Sequence, residues 1–253
     1  MQNTSLRVGQ IKAITIDLDD TLWPIWPAIE RAEKVLLLWL REHAPATAAL
    51  AGDTKALRVI RDAVAAERPD WLHNLSEIRR ESLRRALVQA GDDGALAEKA
   101  FDVFFAARQR VDFYPDALPA LRALAALFPV VALSNGNANL ETVGIAAHFR
   151  GAVSAQAFGV GKPDARIFHE AARVAGFAAH EVLHVGDDAH LDVVGAHEAG
   201  MQTVWVNRRG ESWAQVCAQV CAQVCAPPLG ATSLAAPGLV VTDLAQLLSN
   251  LVR

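Results

Sequence analysis

Four short apolar runs, Val130–Leu133, Ala152–Ala155, Val182–Val185 and Thr203–Val206, alternate with stretches of helical periodicity in the second half of the chain. Strands of this length and composition, separated by helices, predict a parallel sheet buried on both faces by its crossover helices. The spacing of apolar residues places those helices at Ala117–Leu127, Asn139–Ile145, Ala165–Ala175 and Leu191–Ala199. Ile11–Ile16 reads as a further buried strand, and Leu239–Val241 with Leu244–Leu251 as a last strand and helix. Hydrophobic residues make up 52% of the 253, enough to fill such a core without a metal or disulfide staple.

The alternation is interrupted after the first strand. From Trp26 to about Val111, apolar residues recur three and four apart in four blocks, Ala28–His43, Thr54–Ala66, Leu75–Ala90 and Leu96–Arg110. Gly52, Pro69 and Gly91-Asp92-Asp93-Gly94 punctuate them, and no strand pattern occurs among them. The expected architecture is therefore α/β, with a Rossmann-like parallel sheet core (residues 1–23 and 113–253) and an inserted all-helical segment (24–112). An insert at that point leaves from the carboxyl edge of the sheet, where open parallel sheets bind ligands. It is placed to act as a lid.

The remaining bulk features exclude several roles. The formal net charge is −4 and the arginines are scattered, so the clustered basic face of a nucleic-acid binder is missing. No apolar run reaches the ~18–20 residues that span a bilayer, and Met1–Gln10 lacks the apolar core of a signal peptide. A cytoplasmic location is the expectation, with no membrane partner. All three cysteines, Cys217, Cys221 and Cys225, lie in a triple Ala-Gln-Val-Cys repeat without the paired spacing or histidines of zinc sites. That repeat reads as a duplication lengthening a surface helix or loop, followed by an extended connection at Pro227–Gly238.

Four polar clusters fall beside the predicted core strands. Asp17-Leu18-Asp19-Asp20-Thr21-Leu22 follows the first strand and sets two carboxylates two residues apart, an arrangement that is costly unless a cation or proton offsets it. Ser134-Asn135-Gly136 offers a hydroxyl, an amide and a close backbone approach suited to phosphate oxygens. Gly161-Lys162-Pro163-Asp164 sets a lysine at a helix start, where anions are already favoured. Gly186-Asp187-Asp188, with Asp192 beyond it, follows the strand Val182–Val185. Each alone is an ordinary cap or turn. Together, at one edge of one sheet, they suit a hard divalent cation, most simply Mg²⁺, beside a phosphate.

The series Asp-x-Asp-x-Thr, Ser-Asn, Lys and Gly-Asp-Asp-x-x-x-Asp resembles the four motifs of the haloacid dehalogenase-like superfamily, over Ile11 to about Val206. The helical insert is similar to the cap of its type I members. Asp17–Leu22, Ser134–Ala138 and Leu183–Asp188 look most like bacterial phosphatases of flavin mononucleotide and of the phosphorylated pyrimidine precursor of riboflavin. The resemblance implies that Asp17 is a nucleophile forming an aspartyl phosphate, and that Asp19 protonates the leaving oxygen and then activates water. It implies further that Ser134, Asn135 and Lys162 bind the phosphoryl oxygens of a small-molecule phosphate ester. Mg²⁺ would rest on Asp17, the Asp19 carbonyl and Asp187, with Thr21, Asp188 and Asp192 in support.

Rival readings differ at particular residues. Dehalogenases of the superfamily resemble the pattern without an acid at the position of Asp19, since halide leaves without a proton. A phosphomutase shares all four motifs, and a silent phosphate-binding module would not need the whole set. A receiver-type signalling domain is similar to about half this length, with its acid pair ahead of the acceptor strand. Specificity is expected in the insert, with Trp23 and Trp26 placed to stack on a flat heterocycle. His184, inside an apolar strand, is expected to be a satisfied core residue, unused in the mechanism.

Overall fold

The computed structural model describes residues 6–52, 54–224 and 235–252. Six parallel strands, β1 (Ala13–Ile16), β2 (Val130–Ser134), β3 (Gly151–Ser154), β4 (Val182–Gly186), β5 (Gln202–Val206) and β6 (Leu239–Val241), form one sheet in the order β3-β2-β1-β4-β5-β6. β1, β2 and β4 are buried along their whole length, which explains why their residues are apolar apart from Thr15, Ser134 and His184. The order turns back on itself at β1, so the chain leaves β1 and β4 in diverging directions and opens a crevice at their carboxyl ends. One face packs on the helix Ala165–Ala175 through Ile167, Phe168, Ala171 and Ala172, against Val131, Leu133 and Val182.

The chain divides into two compact units, residues 1–23, 113–135 and 145–253 in one, and 24–112 with 136–144 in the other. The second unit is helical: α1 (Ile25–His43), α2 (Pro45–Ala51), α3 (Thr54–Glu67), α4 (Leu75–Ala90) and α5 (Ala97–Arg108). α1 buries Ala28, Ala32, Leu36 and Leu40, one residue per turn, the last three in a cluster with Leu83, Leu87, Phe101 and Phe104 of α4 and α5. Asn74 caps α4 by accepting the Glu77 N–H at 3.1 Å. At its other end Gly91, at φ 91°, takes the left-handed turn that a side chain would strain.

Two elements differ from the sequence expectation. Pro45–Ala51 forms the short helix α2, which the periodicity did not mark because seven residues span barely two turns. The helix expected at Leu191–Ala199 begins as a wide π-type turn, Ala189–Val194, and only then becomes α-helical at Gly195–Glu198. There the N–H groups of Asp192 and Val193 both reach the Asp188 carbonyl, at 2.9 and 3.2 Å. Insertions of this kind concentrate at functional sites. The cysteine repeat lies in the helix Trp213–Val224, which holds a partly exposed Cys217, while Cys225 and most of the expected connection fall outside the described residues. No helix among the described residues is long and apolar enough to cross a membrane.

Candidate active site

Asp17 leaves the end of β1, Ser134 closes β2 and Gly186-Asp187 closes β4, so three of the four clusters meet at the crevice from adjacent strands. Lys162 joins them from the loop before Ala165–Ala175. Its Nζ donates to Asp17 Oδ1 at 2.6 Å and to Asp192 Oδ1 at 2.5 Å, with all three side chains buried. Asp17, Asp187 and Asp192 each offer a carboxylate oxygen within 4.8 Å of the others.

Burial and crowding set the charges. Desolvation raises Asp17 to about 7, against the opposing pull of Lys162. Asp187 is raised to about 9, first by desolvation and then by repulsion from Asp17, Asp192 and Asp20. Burial would also raise Asp192, but the Lys162 charge and the His184 hydrogen bond hold it below the usual carboxylate range. Burial would lower Lys162, yet its two carboxylates keep it firmly protonated. One ammonium thus touches two of three converging carboxylates but can cancel only one of their charges. Asp17 and Asp187 therefore tend to keep protons that a hard divalent cation, bound entirely by oxygen, would displace.

Other side chains hold this arrangement. Thr21 is buried and its hydroxyl donates to Asp187 Oδ1 at 3.2 Å, while Arg208 holds the Thr21 carbonyl at 2.9 Å and forms a bidentate pair with Asp116. Trp205 Nε1 fixes the Asp187 carbonyl at 2.7 Å. Gly186 must lack a side chain, because a Cβ there would lie 2.2 Å from Asp192 Cγ.

Three sequence expectations change in detail. Asn135, expected on the phosphate, uses its side-chain amide on Lys162 instead: Oδ1 accepts the Lys162 N–H at 2.7 Å and Nδ2 donates to its carbonyl at 2.8 Å. Gly161 permits this, since a Cβ would meet Asn135 Oδ1 at 2.7 Å. Trp23, expected to stack on substrate, is fully buried, edge-on to Phe113 with centroids 5.4 Å apart. Its Nε1 donates to Asp19 Oδ1 at 2.8 Å, so the indole orients the second carboxylate rather than offering a ring face. Asp188, expected in support of the metal ligands, is exposed, and its Oδ1 caps the π turn by accepting the His190 and Leu191 N–H groups at 2.8 and 2.7 Å. Trp26, by contrast, is 53% exposed at the start of α1.

His184 is the satisfied core residue that its place in an apolar strand predicts, though the identity of its partners was not legible. It is fully buried, with Nδ1 2.8 Å from the Thr15 hydroxyl and Nε2 3.0 Å from Asp192 Oδ1. An isolated histidine in an apolar run carries no sign of such partners, which come from β1 and from beyond β4.

Similarity to known proteins agrees with this geometry. The family described as haloacid dehalogenase-like hydrolase matches residues 11–200, and a second HAD-hydrolase-like family matches 159–247. The 5-amino-6-(5-phospho-D-ribitylamino)uracil phosphatase YigB of Escherichia coli (strain K12) is 34% identical over 203 residues, 79% of this chain and 84% of that protein. A phosphoserine phosphatase of Thermus thermophilus is 36% identical over 140 residues, 51% of this chain and 55% of that protein. Among solved structures, a 2-haloacid dehalogenase from Pseudomonas syringae pv. Tomato DC3000 superposes with a TM-score of 0.81 at 35% identity, covering 96% of this chain and 98% of the other. The chain belongs to the haloacid dehalogenase-like hydrolase family.

Proposed function

We propose that this hydrolase is a Mg²⁺-dependent phosphatase that cleaves a small-molecule phosphate monoester through an aspartyl phosphate on Asp17. The observation that carries the reading is the pair Asp17 and Asp19, one carboxylate buried against Lys162 and the other held by the Trp23 indole. An aspartate bonded to a lysine ammonium can attack phosphorus without also serving as the acid. The P–O bond to the substrate breaks as the Asp17–phosphorus bond forms, and the departing alkoxide takes its proton from Asp19. Asp19, now ionised, removes a proton from the water that displaces Asp17 and releases inorganic phosphate. Lys162 and Ser134 neutralise and bond the phosphoryl oxygens, and Asn135 acts by holding the Lys162 backbone. Mg²⁺, carried by Asp17, Asp187 and the Asp19 carbonyl, would supply the positive charge that lets an anionic nucleophile approach an anionic ester.

Substrate choice belongs to the helical segment 24–112, which we read as the specificity-bearing cap. Within that unit a groove of about 540 Å³ is lined by Trp26, Ile29, Leu37, Leu57, Arg58 and Arg79. Its volume lies in the range that holds small organic ligands. The Arg58 guanidinium lies 5.7 Å from the Trp26 ring centroid, and Arg79 is stacked at 3.8 Å on Phe104. An aromatic wall with guanidinium donors suits a flat, acceptor-rich group such as a pyrimidine or flavin. A riboflavin-pathway pyrimidine phosphate or flavin mononucleotide is the substrate class this favours, in line with the YigB likeness.

The structural likeness to a 2-haloacid dehalogenase favours a second reading, carbon–halogen cleavage by the same nucleophile. Asp19 separates the two, because a halide leaving group needs no acid. Phosphate and halide release are to be measured side by side, with and without Mg²⁺. The esters are flavin mononucleotide, the ribitylaminopyrimidine phosphate, phosphoserine and sugar phosphates, and the haloacid is 2-chloropropionate. Mg²⁺-dependent phosphate release that disappears in Asp17→Asn is the expected result. Halide release with no phosphate release would replace it with the dehalogenase reading.

A further inference from the structure

β1 and β4 run side by side with Thr15 opposite His184, so the hydroxyl and the imidazole are neighbours on one face of the sheet. Two residues further along each strand, on that same face, stand Asp17 and Gly186. Because Gly186 leaves its place empty, the Asp192 side chain fills it and comes down onto the imidazole. The result is one buried chain of contacts: Thr15 Oγ1 to His184 Nδ1 at 2.8 Å, His184 Nε2 to Asp192 Oδ1 at 3.0 Å, Asp192 Oδ1 to Lys162 Nζ at 2.5 Å, and Lys162 Nζ to Asp17 Oδ1 at 2.6 Å. Phe168 holds the ring edge-on at 5.1 Å, and nothing in this chain is more than 6% exposed.

The protons in this chain can be counted. Asp192, paired with Lys162, accepts only, so Nε2 must carry a proton to bond it. Nδ1 then takes the Thr15 hydroxyl proton, whose other neighbour, Met201 Sδ at 4.0 Å, is a weak acceptor. The acceptor-only carboxylate therefore selects the Nε2–H tautomer, and the Thr15 hydroxyl supports it from behind by bonding Nδ1. Asp192 Oδ2 accepts the Asp188 N–H at 2.9 Å, so both of its oxygens are held and the carboxylate cannot turn.

We propose that His184, set by Thr15, is a positioning residue for phosphoryl transfer: as a neutral Nε2–H imidazole it fixes the Asp192 carboxylate, which fixes Lys162 against the nucleophile. Lys162 has no other ion-pair partner among the described residues than Asp17 and Asp192. Without the His184 N–H, Asp192 Oδ1 keeps only Lys162 and the carboxylate hangs from the Asp188 N–H alone, so the second anchor of the ammonium loosens. The proposal rests on the reading of Asp17 and Lys162 as the reacting and charge-neutralising groups.

The test uses the full-length protein and four variants, Thr15→Val, Thr15→Ser, His184→Leu and His184→Gln. Thr15→Val is nearly isosteric and removes only the hydroxyl, so it keeps the question open should His184→Leu fail to fold. Loss of a residue that orients an active-site group commonly costs 10–100-fold, so Thr15→Val and His184→Leu are expected to lower kcat per folded molecule by about tenfold or more, with KM changed by less than about threefold. Thr15→Ser and His184→Gln, which retain the hydroxyl and a side-chain N–H, are expected to recover most of the loss. Nitrogen-15 spectra of the metal-free protein should show His184 neutral with its proton on Nε2. A kcat per folded molecule within about twofold of the parent in both donor-deleting variants, where a purely structural role would leave it, overturns the proposal. So does an Nδ1–H tautomer. Activity retained by Asp17→Asn would instead refute the reading of the nucleophile, and the tautomer measurement would still judge the His184 geometry.

Discussion

Raising the pH of the metal-free protein tests the electrostatics of the site before any substrate is known. Asp17 and Asp187 are raised to about 7 and about 9, both chiefly by desolvation, from an ordinary value of 3.8. A group whose folded pKa lies above its unfolded one stabilises the fold fully at pH below about 4 and loses that contribution as pH rises through the folded value. Between pH 6 and 9 the unfolded aspartates hold almost no protons, and integrating the difference gives a loss of about 4 kcal/mol for Asp187 and about 1 for Asp17. Since the Asp187 shift includes repulsion from Asp17, the two do not simply add, and the expected combined loss is about 3–5 kcal/mol. Urea unfolding in the presence of a chelator, at pH 6 and at pH 9, measures it directly. Asp187→Asn, which cannot ionise, should show most of the slope gone. Mg²⁺ at about a hundred times its dissociation constant should add about 2.7 kcal/mol at pH 9, because it binds the ionised pair that the folded state otherwise resists. A chelated protein equally stable at both pH values, or an equal slope in Asp187→Asn, would refute the reasoning.

Three substitutions extend the test to single contacts. Asp19→Asn should slow hydrolysis of alkyl phosphates by about 10²–10⁴-fold and of 4-nitrophenyl phosphate much less, because nitrophenolate leaves without a proton; steady-state rates on both esters decide it. Trp23→Phe removes the indole N–H from Asp19 at 2.8 Å and should lower kcat by about tenfold, in line with about 1.5 kcal/mol for a hydrogen bond to a charged group. In Gly186→Ala the new methyl collides with Asp192, buried among Lys162 and His184, and the expected loss is about 3 kcal/mol of stability together with activity, read by urea midpoint and phosphate release.

The sheet was legible because β1, β2 and β4 are buried on both faces and so carry apolar runs that nothing else in the chain explains. The helices of the second unit were legible from spacing, as in α1, whose buried residues recur every fourth position. What the linear pattern conceals is partnership across distance. Lys162 and Asp17 are 145 positions apart, and only the fold shows that one ammonium serves both Asp17 and Asp192. Asn135 and Trp23 stand where expected along the chain, but their side chains turn inward to hold Lys162 and Asp19. Side-chain direction at a strand end depends on neighbours that spacing does not specify. His184 looked inert for the same reason: its two partners, Thr15 and Asp192, reach it from a neighbouring strand and from a π turn.

The most direct test of the chemistry is to trap the intermediate. The protein is mixed with Mg²⁺ and its best phosphate ester, quenched in acid within one turnover, digested and weighed by mass spectrometry. The expected result is a phosphoryl increment on the peptide that contains Asp17, absent in Asp17→Asn. Phosphate release at full rate with that peptide never modified, or with the increment on another residue, would contradict a covalent mechanism at Asp17.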